Sequence, residues 1–195
     1  RVKQAIGPLY DLEMEHVTLA RMDDVLNHVP LAEETWTLGS PEIYGEGAGK
    51  TYTIRRDSLG VRINALRPDP AEEAPRVLFL GDSFVEGYDD ANTLVHRTWE
   101  AVRRMAPEDP PPAFFNAGHS SYSPAIMIPQ AKRLVPALEP DFVVVVIDQT
   151  DLGADYMRYE RLIRRDTDGR IEGVTATPID VAVESGLIDG RGLDP

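Results

Sequence analysis

One serine stands where a nucleophile would be useful. Val77-Leu78-Phe79-Leu80 is a continuous apolar run that passes directly into Gly81-Asp82-Ser83. Such a run, bounded by turn residues, suits a parallel strand covered on both faces. Gly81 allows a tight turn and close backbone approach. Ser83 then stands at the carboxyl end of the strand, where open α/β sheets bind ligands. A hydroxyl there, with its own N–H beside it, offers a nucleophile and one oxyanion donor for acyl transfer. The plain alternative is a serine that caps a helix at a strand-to-helix turn. Two later runs end in polar residues in the same way. They are Phe114-Phe115-Asn116-Ala117-Gly118 and Phe142–Ile147 followed by Asp148-Gln149-Thr150-Asp151.

The segments between these runs read as helices. Asp89, Asp90 or Asn92 would cap a helix reaching about Met105, with Leu94, Val95, Thr98, Trp99, Val102 and Met105 on its apolar face. Ser123-Pro124 opens a second helix to about Leu138, in which Pro129 marks a kink or a restart. Strands alternating with helices give βαβ units, a parallel sheet and right-handed crossovers, an α/β fold. After Asp151, Tyr156, Tyr159, Leu162 and Ile163 suggest another helix, and Asp166–Gly169 a turn into Arg170–Thr175. Asp166-x-Asp168 lacks the rest of a calcium loop.

Ahead of the first run the pattern is weaker. Leu12, Met14, Val17, Leu19 and Met22 give a ragged helical stripe, and Ser40-Pro41 a turn. Gly45–Thr51 imitates a phosphate-binding loop, but Tyr44 stands where the first glycine is required and strand-like residues follow Thr51. It reads as a hairpin or loop. Asp57–Arg62 is a turn between short strands, with Arg62 locking this segment onto the core. The acidic, proline-rich stretch Arg67–Pro75 marks a boundary between an accessory segment, residues 1–70, and an α/β domain, residues 75–195.

The 195 residues, 42% of them hydrophobic, suffice for a packed core. A net charge of -13 argues against nucleic acid or an anionic membrane as partner through bulk charge. With no cysteine there is neither disulfide nor thiolate metal site. No apolar run is long enough to span a bilayer. The chain begins at Arg1 and reads as a trimmed or processed product.

Taken in order, Gly81-Asp82-Ser83, Asn116-Ala117-Gly118 and Asp148–Asp151 resemble the first three blocks of the SGNH, or GDSL, hydrolase family. The likeness covers roughly Arg76 to Asp151. It implies a three-layer α/β/α domain with a parallel sheet and a serine-dependent acyl ester hydrolase acting on small or carbohydrate O-acyl esters. A carbohydrate O-acetyltransferase would use the same site, and a degenerate binding module would keep only the cleft. The resemblance makes Ser83 the nucleophile and places the oxyanion on Ser83, Gly118 and Thr150, with Asp82, Asn116 and Asp151 bracing the loops. It implies no metal and no organic cofactor and no membrane contact through this segment; a cell-envelope or extracytoplasmic setting is favoured, with a cytoplasmic one left open.

The chain departs from the pattern in two places. The third block has Asp148 where the family usually has glycine, and Thr150 where it has asparagine. The four histidines are His16, His28, His96 and His119, so the late Asp-x-x-His block that supplies the base is missing. The base is expected beyond Pro195. His119 is the substitute within the chain, though an ordinary loop histidine is the simpler reading.

Overall fold

Strand β5 (Arg76–Leu80) lies at the centre of a three-stranded sheet, paired in parallel with β6 (Ala113–Asn116) on one side and β7 (Phe142–Val145) on the other. The computed structural model describes residues 20–39, 46, 48–64, 74–154 and 158–176.

Side-chain alternation sends each strand's residues to two separate cores. Leu78 and Leu80 of β5, with Ala113 and Phe115 of β6, pack against Ala125, Ile126, Met127 and Leu134 of helix α3 (Pro124–Leu138). Phe79 and Phe114 face the other way. There they meet Val85 of the one-turn helix α1 (Ser83–Glu86) and Val95 and Trp99 of α2 (Leu94–Met105). Helices therefore cover both faces of β5 and β6, the expected α/β/α layering. Each fully buried leucine or phenylalanine contributes about 1.5–3 kcal/mol.

Several local expectations are corrected. The cap of α2 is Thr93, whose hydroxyl accepts from His96 N at 3.0 Å. Asp89 instead caps a separate 3₁₀ turn at Asp90–Asn92. The apolar face of α2 is only partly covered, since Leu94, Val102 and Met105 are exposed. Helix α3 runs on through Pro129 and Pro136. The core contacts of Ala125, Ile126, Met127, Leu134 and Leu138 on both sides of Pro129 hold it as one helix. After the short helix α4 (Gln149–Ala154), Ile163 does not continue a helix. It begins β8 (Ile163–Arg165), which pairs antiparallel with β9 (Ile171–Val174) around a turn held by Asp166 Oδ1. Cross-strand pairing there overrides the helical spacing. Tyr156 lies outside the described residues.

The leading segment is strand, not helix, where it is described. Met22 sits in β1 (Ala20–Asp23), antiparallel to β2 (Asn27–Pro30). Asp23 Oδ1 closes the turn by accepting from Val25 N and Leu26 N, both 2.8 Å. Residues 12–19 lie outside the described residues. β3 (Glu33–Thr37) and β4 (Thr51–Arg55) form a second hairpin, with Gly49 at φ 76 donating its N–H to Leu38 O. Leu26, Val29 and Val61 join the same core as Leu78 and Leu80. Leu26 also bridges to Val174. Among the described residues no helix is long and apolar enough to cross a membrane.

Candidate active site

Ser83 is the first residue of α1, at the carboxyl end of β5. Asp82 caps the helix, its Oδ1 accepting from Phe84 N at 2.9 Å. A side chain at Gly81 would put Cβ 2.3 Å from Val85 Cγ2 and 3.3 Å from Val146 O, so only glycine lets the strand turn here. Ser83 is exposed, and neither its hydroxyl nor its N–H has a hydrogen-bond partner among the described residues.

The loop after β6 is stitched alongside. Ala117 N donates to Phe79 O at 2.9 Å and His119 N to Gly81 O at 3.1 Å. Gly118 presses on α1, and a Cβ there would lie 2.5 Å from Glu86 N. The buried Asn116 clamps the two pieces together. Its Nδ2 donates to Val85 O at 2.8 Å, and its Oδ1 accepts from Gly118 N at 3.0 Å. Gly118 and Ser83 thus lie at the ends of neighbouring parallel strands, but here the Gly118 N–H is held by Asn116.

In the third block the Thr150 hydroxyl donates to Asp148 Oδ1 at 2.6 Å, as does Thr150 N at 2.5 Å. Those bonds hold the Asp148 carboxyl below its ordinary range. Asp151, buried, accepts from Asp148 N through Oδ2 at 2.9 Å. Carboxylate oxygens of Asp82, Asp148 and Asp151 lie within 4.8 Å of one another. Burial pushes the Asp82 carboxyl up, as do the charges of Asp151 and Asp148, against the opposing Phe84 N–H bond. Like charges this close repel, which opposes ionisation of Asp82. Oxygen ligands of this kind suit hard cations. The backbone N–H groups already bound to all three supply the compensation, and no cation is assigned.

Sequence reasoning missed the buried charge network behind α1. Arg56 donates through Nη1 to Glu34 Oε1 at 2.7 Å and through Nη2 to Glu86 Oε1. Glu86, on the turn that carries Ser83, also accepts from His119 Nδ1 and Ser120 N, both at 3.0 Å. Burial raises the Glu86 carboxyl, but His119, Arg56 and the Ser120 N–H outweigh it and hold it below the usual range. Arg62 closes the same helix, donating to the carbonyls of Glu86, Gly87 and Tyr88 at 2.6–2.7 Å and to Asp90 Oδ1 at 2.6 Å. That is the locking role expected of it.

None of the described histidines hydrogen-bonds the Ser83 hydroxyl. His119 is buried, bonded to Glu86, with its ring edge-on to Tyr122. It is a loop histidine, as expected, but one buried in the core. His28 lies beside it with the two rings tilted at 53°, its ring nitrogens facing Asn27 Oδ1 at 3.0 Å and Ser120 O at 3.1 Å. Burial, then the charge of His119, lowers its pKa to about 4. His96 lies on α2 with Nε2 3.6 Å from Glu100.

No family model and no curated protein matches the chain. Among solved structures, similar folds include the esterase AlinE4, described as an SGNH-hydrolase family esterase, at 22% identity and TM-score 0.36. A serine-to-alanine mutant of it matches at 21% identity and TM-score 0.35. The match to AlinE4 covers 44% of each chain, so less than half of the neighbour's length is represented.

Proposed function

We propose that Ser83 is the nucleophile of an SGNH-type acyl ester hydrolase acting on small or carbohydrate O-acyl esters. The observation that carries this reading is the exposed Ser83 hydroxyl, unpartnered among the described residues, at the carboxyl end of the central parallel strand. The order of the three strand-end motifs around it supports the same assignment.

In this reading Ser83 Oγ bonds to the ester carbonyl carbon while its proton passes to a base. The oxyanion rests on Ser83 N–H, and collapse expels the alcohol. Water then adds to the acyl-serine and releases the acid. No described histidine hydrogen-bonds Ser83, so the base comes from outside the described residues. Gly118 N–H joins the oxyanion site only if Asn116 Oδ1 releases it. One such donor is worth about 10²–10³ in rate.

A second reading, a binding module that keeps the cleft without the chemistry, is favoured by the occupied donors at Gly118 and Thr150 and by the nearby carboxylates. Labelling the full chain with a fluorophosphonate probe, alongside p-nitrophenyl acetate turnover, separates the two. An esterase labels at Ser83, and Ser83→Ala abolishes both signals. Absence of labelling and turnover in the complete protein would leave the binding module.

A further inference from the structure

A cavity of about 240 Å³ lies between the β1–β2 hairpin, the turn at residues 57–60 and α3. None of its lining residues belongs to α1, to residues 116–119 or to residues 148–151. Its apolar wall is formed by Leu26, Val29 and Leu134, all part of the core. Arg21 of β1 and Arg133 of α3 also line it. Both are exposed, and neither guanidinium makes an ion pair or hydrogen bond among the described residues.

Two uncommitted arginines at one cavity are unexpected in a chain where 33 acidic residues face 20 basic ones. The acidic wall residue, Asp57, spends its Oδ1 on Leu59 N at 2.9 Å and Val61 N at 3.0 Å. The wall therefore carries one net positive charge, which suits a monoanion. Its apolar part suits an aliphatic body. The volume is below the roughly 300–1,000 Å³ of pockets for drug-sized ligands, so that body is short. A phosphate dianion would meet Asp57 and find few donors for its remaining oxygens. We infer that this cavity is a binding site for short aliphatic carboxylates, separate from the Ser83 site.

Calorimetric titration of the full chain with hexanoate near neutral pH tests this, with hexanol and inorganic phosphate as the comparison probes. Hexanoate binds saturably in the millimolar range or tighter, hexanol binds more weakly, and phosphate does not bind. Arg21→Gln and Arg133→Gln each weaken hexanoate about tenfold, the loss of one charge-assisted contact. Ala32→Trp, at an exposed lining position, blocks the cavity while keeping the wild-type unfolding midpoint. Ser83→Ala leaves binding intact, so the result is independent of the esterase reading. Unsaturable binding, affinity unchanged in the arginine variants and Ala32→Trp, phosphate binding as well as hexanoate, or loss of binding in Ser83→Ala would each overturn the assignment.

Discussion

β6 and β7 flank the same strand, pair with it in the same direction, and end in opposite surroundings. Every residue of β6 is buried, and on its side of the molecule the core extends through α3 to the leading hairpins. Every residue of β7 is exposed, Phe142 by 61%, Val143 by 41%, Val144 by 36% and Val145 by 48%. Ile147, Leu152 and, on α1, Phe84 are exposed too. Both strands are written in side chains that suit a sheet interior. The contrast teaches that local sequence sets the strand, while burial is set by what the rest of the chain lays over it. An apolar strand that ends the sheet among the described residues is also a template for association.

The buried side should break hardest. Arg56→Met strands the carboxylates of Glu34 and Glu86 without their cation. It should destabilise by about 3–5 kcal/mol, read as a lower urea midpoint. Phe115→Ala should cost about 3–5 kcal/mol, whereas Phe142→Ala should stay within about 0.5 kcal/mol, as surface changes do. Equal losses at the two positions would erase the contrast.

Acid sharpens the same comparison. The His28 ring titrates near 6.5 when unfolded and at about 4 when folded. Between those values the unfolded chain holds a proton that the folded one refuses, so stability falls as pH drops from 6.5 to 4. Urea midpoints across that window should show the slope, and His28→Gln should flatten it by roughly 1–3 kcal/mol. Glu86, held low, adds a further loss as pH falls through and below the usual carboxylate range. The smallest effect belongs to β7. Val144→Lys should leave the midpoint within about 0.5 kcal/mol while reducing self-association in light scattering.

The sheet was legible because its strands are local. β5, β6, β7 and α3 follow from contiguous apolar runs and a Ser-Pro start, and the Asp57 turn from its own residues. Of the candidate site, the strand-end placement of Ser83, Gly118 and Thr150 was readable. The partners of Gly118 and Thr150 were not, because whether an N–H or hydroxyl is free depends on side-chain rotamers. The Arg56–Glu34–Glu86–His119 network was hidden for a different reason. Charged residues read as surface unless their partners are known, and these partners stand 22 to 33 positions apart. The strands of residues 20–37 were missed because they are short, and β3 finds its partner β4 only across residues 38–50, which left a faint alternation for the eye.

The guanidinium of Arg62 carries a consequence for where the molecule can be cut. A polypeptide started at Arg76 would retain all three motifs, yet the carbonyls of residues 86, 87 and 88 would lose the donor that now gathers them. The turn bearing the serine would be left untied at its far end. The residues ahead of β5 therefore act as scaffolding that the motif region borrows through Arg62.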